Sequence, residues 1–239
     1  MIKDLKDIKR EEVNLFGGKA VNLGFLIQNG FNVPEGFCIS TKINKIDNKT
    51  KDNIISKFKK LKSKVAVRSS ATDEDSEKSS FAGQFDSFLN IQNEKQLFNA
   101  IKNCKNSIKL DRAKAYLKNK KLNDIKMAVI VQKMVDADYA GVIFTVDPVD
   151  KNYVLIEVTR GLGDKLVSGE ITPDNYFVDR KTLKIKNKSV SFKLHNNIIK
   201  NLSKTTLKIE STFKSPQDIE FAVKGNKIFI LQSRPITTL

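Results

Sequence analysis

Two apolar strands near the end of the chain carry polar side chains in their interior. Residues 218–223 and 227–234 are predicted to form a β-hairpin with its turn at 224–226. Both faces are largely apolar, as in a strand that is covered on both sides, through Ile219, Phe221, Val223, Ile228, Phe229, Ile230 and Leu231. A buried carboxylate without a partner costs several kcal/mol. We therefore expect a cation, a metal ion or a hydrogen-bond donor opposite Glu220.

The spacing of these polar residues restricts how the hairpin can close. Glu220 and Gln232 are twelve positions apart, an even number. They share a face only if the turn has an odd number of residues, for instance a three-residue loop with Gly225 or Asn226 in the left-handed conformation. On that register Glu220, Gln232 and Arg234 converge. The residues alone leave two interpretations open: a functional site, and a structural ion pair between Glu220 and Arg234.

The net charge of +16 over 239 residues raises the question of a nucleic-acid or polyanion partner. Of the 43 basic residues, however, 37 are lysines and 6 are arginines, and they are dispersed along the chain. Dispersed lysines are typical of solvated surfaces, so this composition argues against nucleic-acid binding. A diffuse positive field still attracts ligands that carry phosphate.

The sequence carries no sign of a membrane or secretory protein. No apolar run approaches the roughly 18 to 20 residues of a membrane span, and the start of the chain is charged. Cys38 and Cys104 are isolated and lack the spacing of metal ligands, which indicates reduced thiols rather than a disulfide. We therefore expect a cytoplasmic protein without a membrane partner.

The pattern of apolar residues predicts an α+β protein of two lobes, about 1–123 and 124–239. Helices are predicted from the glycine pair at 17–18 to Asn29-Gly30, and over 47–61, 95–117 and 196–213. Strands are predicted near 37–39, over 64–68, at the end of 81–91, and over 127–131, 139–145, 154–158 and 176–179. The second lobe is thus expected to be mostly sheet.

Two basic residues stand where a phosphate can bind. Lys19 follows two glycines at a predicted helix start, where backbone N–H groups and the helix dipole favour an anion, although a glycine turn before an exposed lysine is the more common case. Arg68 ends a predicted strand before a hydroxyl-rich loop, and its planar guanidinium suits a phosphate. Gly83 and Gln84 belong to 81–85, which can cover that phosphate as a flap or form an ordinary hairpin.

The segment after the strand at 127–131 has the composition of a wall that binds adenine. Gln132, Met134 and Val135 can present backbone groups beside a purine, with apolar side chains against its faces. Glu157, on a later predicted strand, is a candidate contact for a metal ion or a ribose. Each of these signals is weak by itself.

The order of these motifs along the chain is much more specific. It resembles the N-terminal ATP-binding domain of phosphoenolpyruvate synthases and pyruvate phosphate dikinases, which rifampin phosphotransferases also use. The matching segments span nearly the whole chain: Gly17-Gly18-Lys19-Ala20, Val33-Pro34-Glu35-Gly36-Phe37, Val67-Arg68-Ser69-Ser70-Ala71-Thr72, Phe81-Ala82-Gly83-Gln84, Val131-Gln132-Lys133-Met134-Val135, Ala140-Gly141-Val142-Ile143-Phe144-Thr145, Gly161-Leu162-Gly163, Val167-Ser168-Gly169, Thr172-Pro173-Asp174, Gln217-Asp218-Ile219-Glu220 and Leu231-Gln232-Ser233-Arg234-Pro235.

The resemblance implies a two-lobed ATP-grasp fold that holds ATP between its lobes, with a mostly antiparallel sheet in the C-terminal lobe. It implies that Lys19 and Arg68 contact the phosphates. It also implies that Gln132, Met134 and Val135 surround the adenine.

For the terminal hairpin, the resemblance implies that Glu220 and Gln232 hold Mg²⁺ and that Arg234 contacts the transferring phosphoryl group. Phosphoryl transfer depends on positioning and charge neutralisation, which such groups supply. The chain departs from the family pattern in three ways: Phe221 replaces the usual tryptophan, Asp164 replaces the usual glutamate, and the stretch 41–64 is shorter.

The resemblance predicts a phosphotransferase module that cleaves ATP to AMP and phosphorylates a histidine on a separate domain or subunit. The family's phosphohistidine and acceptor-binding domains are absent from 1–239, and the one histidine, His195, matches no phosphohistidine motif and is expected at the surface. The expected partners are ATP and a phosphohistidine-domain protein or the missing C-terminal domains. The alternative is a regulatory module that binds nucleotide without turnover.

Overall fold

The computed structural model describes residues 1–72, 87–109, 125–167, 169–189, 191–192 and 194–236. The chain divides into two compact units. Unit 1 comprises Met1–Gln28 and Pro34–Met134, and unit 2 comprises Asn29–Val33 and Val135–Leu239. The lobe boundary predicted near position 123 falls outside the described residues, and the division between the units lies after Met134.

Unit 1 is built on a five-stranded sheet in which neighbouring strands are antiparallel. Its strands are β1 (Ile2–Asp4), β2 (Gly36–Ile39), β3 (Val65–Ala71), β4 (Ser87–Ile91) and β5 (Met127–Lys133), in the spatial order β1-β2-β5-β3-β4. The central strands β3 and β5 are buried at nearly every position, as expected for strands that are covered on both faces.

Helices lie on both faces of that sheet. They are α1 (Val13–Gln28), α2 (Asn48–Lys60) and α3 (Glu94–Asn106), with short 3-10 turns at Leu5–Asp7, Arg10–Glu12 and Ser107–Lys109. Helix α1 packs against β3 and β5. Helices α2 and α3 begin at side-chain caps on Asp47 and Asn93, which satisfy N–H groups of the first turn. Both helices enclose a core formed by Phe37, Ile39, Ile54, Phe58, Val65, Val67, Leu97, Ile101, Val129 and Val131.

Unit 2 contains a six-stranded sheet, also with antiparallel neighbours. Its strands are β6 (Tyr139–Phe144), β7 (Tyr153–Arg160), β8 (Asp174–Asp179), β9 (Ile185–Ser189), β10 (Gln217–Lys224) and β11 (Lys227–Pro235), in the spatial order β11-β10-β6-β7-β8-β9. Along β7, buried Val154, Ile156 and Val158 alternate with half-exposed Leu155 and Glu157. One face of the sheet therefore belongs to a core and the other is open enough to carry polar groups.

Two helices belong to unit 2: the short α4 (Asp164–Val167) and α5 (Asn196–Phe213). Helix α5 packs against β10 and buries Ile198, Ile199, Leu202, Ser203, Thr206 and Ile209 at helical spacing. It ends at Lys214, whose left-handed φ of 60° brings its N–H to Glu210 O. An ion pair of 2.6 Å between Arg180 and Glu210 joins the end of β8 to α5. No described helix is long and apolar enough to cross a membrane.

Most predicted elements are present, with differences where pairing overrides the local pattern. Ser69 and Ser70 were predicted as loop, but they extend β3 because they pair with β5. The helix predicted over 95–117 is observed from Glu94 to Asn106, and its later part falls outside the described residues. The sequence did not predict β1 or β9, which are short strands with several polar residues.

Candidate functional site

The glycine pair before Lys19 interrupts a helix. At Gly17 (φ 77°, ψ 165°) the backbone leaves the helical conformation inside α1, so a new helical run starts at Gly18. A Cβ on Gly17 would lie 2.2 Å from the carbonyl oxygen of Ser70, which only glycine avoids. The N–H of Ala20 donates to Ser70 Oγ at 3.1 Å. The predicted helix start at Lys19 is therefore present, and it lies directly against β3.

Arg68 shares a strand face with Ser70, because side chains alternate along β3. On the same face, Gln132 of β5 pairs with Ala66. The opposite face carries core residues Val65, Val67, Val129 and Val131. Unit 1 thus places Arg68, Gln132 and the helix start that contains Lys19 on one side of its sheet.

The predicted flap beside Arg68 lies outside the described residues. Gly83 and Gln84 belong to the stretch 73–86, which the structure does not describe. The next strand, β4, pairs Ser87 with Arg68. The flap therefore stays a prediction, and the strand that follows it is the neighbour of Arg68.

The segment predicted to contact adenine already uses several of its polar groups. The side-chain amide of Gln132 is buried and donates to Pro34 O at 3.2 Å. The N–H of Met134 donates to Lys64 O at 2.9 Å. The N–H of Val135, by contrast, has no hydrogen-bond partner among the described residues. A purine on this segment would meet apolar side chains and the Val135 N–H, while the Gln132 amide nitrogen is already engaged.

The terminal hairpin forms as predicted but closes with a shorter turn. Gly225 and Asn226 are the only two residues between the paired Lys224 and Lys227, so the predicted three-residue loop is wrong. Gly225 takes the predicted left-handed conformation, with φ 58°. Asp138 holds this tip in place, since its carboxylate accepts the Gly225 N–H at 2.7 Å and Lys224 Nζ at 2.9 Å.

A β-bulge in β11 restores the register that the two-residue turn would not provide. Phe221 pairs with Ile230, whereas Glu220 pairs with Gln232, so Leu231 is an extra residue in the strand. Directly paired residues lie on the same face. The prediction that Glu220 and Gln232 share a face is confirmed, and its cause is the bulge rather than the turn.

A row of five side chains crosses the face of the unit 2 sheet that carries Glu157, and Val142 and Gln232 in this row are buried. From β11 to β8, the directly paired residues are Gln232, Glu220, Val142, Glu157 and Asn175. Adjacent strands lie about 4.8 Å apart, so the backbones of Glu220 and Glu157 are about 10 Å apart with Val142 between them. Unit 2 therefore brings three of the predicted site residues into one line.

The neighbouring row on that face contains an ion pair of Arg234. Asp218 and Arg234 are directly paired in β10 and β11. Asp218 Oδ2 accepts from Arg234 Nε at 2.8 Å and lies 2.7 Å from Nη2. Asp218 is not among the site residues predicted from the sequence. A signal for it was present, because a register that pairs Glu220 with Gln232 also pairs Asp218 with Arg234.

Burial and neighbouring charges both act on the carboxyl groups of these two rows. Burial raises the pKa of Asp218; Arg234 opposes that increase and the charge of Glu220 adds to it. Burial also raises the pKa of Glu157, with the charge of Asp218 as the second cause. These two rows hold three carboxyl groups and one guanidinium, and a cation beside them would reduce the repulsion between the carboxylates.

The donor set of Glu220 and Gln232 fits Mg²⁺. They offer a carboxylate and an amide oxygen from adjacent strands, and Mg²⁺ commonly takes one or two protein ligands and completes its shell with water and phosphate oxygens. No three His, Cys, Asp or Glu side chains in the described part of the chain are placed to hold a metal ion by themselves. A magnesium site here would therefore depend on phosphate oxygens from a ligand.

We expect Glu157→Gln to stabilise the protein more at neutral pH than in acid. Because burial raises the pKa of Glu157, the folded protein holds this proton more tightly than the unfolded chain, and stability falls as the pH rises through that interval. The amide removes this cost. Urea unfolding at neutral pH and below the ordinary pKa of glutamate measures the difference. The exposed Glu11→Gln is the control, and an equal change at both pH values would contradict the prediction.

The chain matches a described protein family over most of its length. Residues 43–198 and 185–239 match the family model of the pyruvate phosphate dikinase AMP/ATP-binding domain. The chain is 38% identical over 205 residues to a probable phosphoenolpyruvate synthase of Methanocaldococcus jannaschii, a match that covers 73% of this chain and 17% of that protein. It is 32% identical to the uncharacterized phosphotransferase YvkC of Bacillus subtilis, covering 96% of this chain and 34% of that protein. It is 30% identical to the rifampicin phosphotransferase of Bacillus cereus, covering 100% of this chain and 36% of that protein.

Solved structures with low sequence identity share the fold. A crystal structure of a Pyrococcus horikoshii protein superposes with a TM-score of 0.51 at 18% identity, covering 95% of this chain and 97% of that one. The dinucleotide-forming acetyl-coenzyme A synthetase 1 of Ca. Korarchaeum cryptofilum superposes with a TM-score of 0.50 at 10% identity, covering 90% of each chain. These likenesses concern the fold alone, and they confirm the predicted α+β, two-lobed ATP-grasp fold.

Proposed function

Since the chain belongs to the pyruvate phosphate dikinase AMP/ATP-binding domain family, we propose that it is a Mg²⁺-dependent phosphotransferase module. It consumes ATP and water: the β-phosphoryl group is transferred to a histidine of another domain or subunit, the γ-phosphate is released as inorganic phosphate, and AMP is the remaining product. The observation that carries this proposal is the pairing of Glu220 with Gln232 next to the Asp218–Arg234 ion pair. These groups provide the charge neutralisation and positioning on which phosphoryl transfer depends.

In this proposal, unit 1 supplies contacts to the phosphates and to the base. Lys19 and Arg68 bind phosphate oxygens, supported by their placement on one side of the unit 1 sheet. An ammonium at the start of a helical run and a guanidinium are both suited to this task. Gly83 and Gln84 would cover the phosphates from the segment that precedes β4.

The contacts to the base and the ribose are assigned to groups at the end of β5, to the two residues that follow it, and to Glu157 in β7. Met134 and Val135 lie against the adenine, and the N–H of Val135 is the donor that the described residues leave available. Gln132 stabilises this segment by donating a hydrogen bond to the carbonyl oxygen of Pro34. Glu157 contacts the ribose or the metal ion.

Glu220 and Gln232 would hold Mg²⁺ on the face of the unit 2 sheet that carries Glu157. When bound, the ion neutralises phosphate charge and orients the phosphate chain. Arg234 binds the phosphoryl group that is transferred, because its planar fork can donate two parallel hydrogen bonds to phosphate oxygens.

The phosphohistidine has to come from outside residues 1–239. His195, the one histidine of the sequence, is exposed and precedes α5, which agrees with the predicted surface position. The relatives named above are much longer, since the chain spans between 17% and 36% of their lengths. The acceptor histidine therefore belongs to further domains of a longer protein or to a separate subunit. A cytoplasmic location also stays a prediction, supported by two buried thiols.

Two measurements test the proposed function. Calorimetry of the 239-residue chain with ATP, with and without Mg²⁺, should show ATP binding that Mg²⁺ strengthens. Incubation with Mg-ATP and a protein or domain that carries the family's phosphohistidine motif should then produce AMP and a phosphorylated partner.

Each outcome has a defined meaning. ATP binding with neither AMP nor phosphorylated partner would favour the alternative of a regulatory module. A chain that binds no ATP but binds nucleic acid with a steep salt dependence would replace both interpretations with a polyanion-binding function.

A further inference from the structure

We propose that Asp218 is a positioning residue, which acts through Arg234 by fixing the direction of its guanidinium toward the transferred phosphoryl group. This inference rests on the proposed function and extends it to a residue that the sequence motif left without a role. Asp218 is 8% exposed. It lies directly opposite Arg234 in the hairpin, one row from Glu220 and Gln232 on the same face.

The geometry of the pair is asymmetric. Both the Nε–H and the Nη2 group of Arg234 lie on one carboxylate oxygen, Oδ2, at 2.8 and 2.7 Å. The common arrangement of an arginine–carboxylate pair uses both oxygens in two parallel hydrogen bonds. The single-oxygen contact holds one edge of the guanidinium at Asp218 and directs the edge that carries Nη1 away from it.

The second oxygen of Asp218 shows that this arrangement is not optimised for stability alone. Oδ1 is buried and has no hydrogen-bond partner among the described residues. A buried polar atom without a partner is rare and costly in folded proteins, and such atoms occur where a site awaits a ligand or stores strain. Arginine–carboxylate pairs frequently use both oxygens, so the pair between β10 and β11 leaves hydrogen-bonding capacity unused on Asp218.

The consequence for phosphoryl transfer is preorganisation. An arginine side chain loses considerable rotamer freedom when it is fixed. If Asp218 has already fixed the guanidinium, Arg234 does not have to be ordered by the substrate. The benefit applies to the phosphates that Arg234 touches and not to the adenosine part of the ligand.

Calorimetry on the 239-residue chain tests this inference with two nucleotides, Mg-ATP and AMP. Asp218→Asn keeps the size of the side chain and removes its charge. We expect ATP affinity to fall by about tenfold, which corresponds to one charge-assisted hydrogen bond, while AMP affinity stays within about twofold of the unchanged protein. In an Arg234→Gln background the same substitution should change ATP affinity by less than about twofold, since the two residues act as one unit.

A matched control separates positioning from general damage to the sheet. Asp147→Asn removes another buried carboxylate of unit 2, one whose oxygens accept the N–H groups of Val149 and Asp150. It should lower stability without changing the ratio of ATP to AMP affinity. If Asp218→Asn does not fold, Asp218→Glu retains the charge but displaces it by one methylene, and the same ATP-specific loss is expected.

The results that overturn the inference are distinct from those that overturn the proposed function. Equal losses for ATP and AMP, a full loss that persists in the Arg234→Gln background, or unchanged ATP affinity in Asp218→Asn and Asp218→Glu would each remove the positioning role alone. Absence of ATP binding by the unchanged chain would overturn the proposed function and this inference with it.

Discussion

Replacing Glu220 with alanine should abolish the effect of Mg²⁺ on ATP binding and, with a phosphohistidine partner, the formation of AMP. Glu220 is the charged member of the pair with Gln232, so under the proposed assignment its loss leaves an amide as the only group that the pair offers to Mg²⁺. Groups that only orient a metal ligand already contribute about 10- to 100-fold to metal affinity. We therefore expect Mg-ATP affinity to fall by about a hundredfold or more.

The measurement is a calorimetric titration of ATP at several Mg²⁺ concentrations, with AMP formation followed in parallel. Glu11→Ala is the control, because Glu11 is an exposed glutamate of unit 1. ATP binding without Mg²⁺ should be similar in all three proteins. If the Glu220→Ala protein still responded to Mg²⁺ like the unchanged chain, the assignment of Glu220 as a metal ligand would be wrong.

Replacing Gly141 with alanine should cause the largest loss of stability among single-methyl changes in unit 2. A Cβ on Gly141 would lie 1.9 Å from the carbonyl oxygen of Glu157 and 3.0 Å from Phe221 Cε1. The nearest obstacle is backbone, so relief requires β6 and β7 to separate. Overpacking of this kind costs up to about 3 kcal/mol or more, and a loss of 3 kcal/mol lowers the midpoint of thermal unfolding by about 10 °C in a protein of this size.

Gly30→Ala separates crowding from backbone strain. Gly30 also belongs to unit 2 and has a positive φ of 79°, but a Cβ there would meet nothing within 4 Å. We expect it to cost about 1 to 2 kcal/mol, the strain of a left-handed residue alone. Thermal unfolding followed by circular dichroism measures both variants. Equal losses would show that the close approach of β6 to β7 at Gly141 is not decisive. The Gly141→Ala protein should also bind Mg-ATP more weakly, since Glu157 lies in the displaced strand.

The parts of the site that depend on local chemistry are predictable from the sequence. A glycine pair before a lysine predicted a helix start, and Gly17 provides it by a positive φ and a close approach to Ser70. A glutamate and a glutamine in two apolar strands predicted a shared face, and the pairing of β10 with β11 confirms it. These signals are readable because they depend on a few neighbouring residues.

The rest depended on information that a local pattern does not contain. Whether Glu220 and Gln232 share a face depends on the length of the turn and on the bulge together. Nothing in the local sequence predicts that Leu231 is the extra residue of the bulge. The composition around Ser69 and Ser70 predicts a loop, yet both residues belong to β3 because they pair with β5. The role proposed for Asp218 cannot be predicted from that residue alone, because it depends on the register of the whole hairpin.

The bulge at Leu231 also bears on how such sites are searched for in other sequences. A two-residue turn in an uninterrupted ladder pairs residues that are separated by odd numbers, so the same acid and amide would then stand eleven positions apart instead of twelve. A chain without the extra residue can present an equivalent pair, and a pattern with one fixed spacing would pass over it. Alignments of related hairpins should therefore allow a single-residue gap at position 231, where an insertion or deletion leaves the facing pair intact.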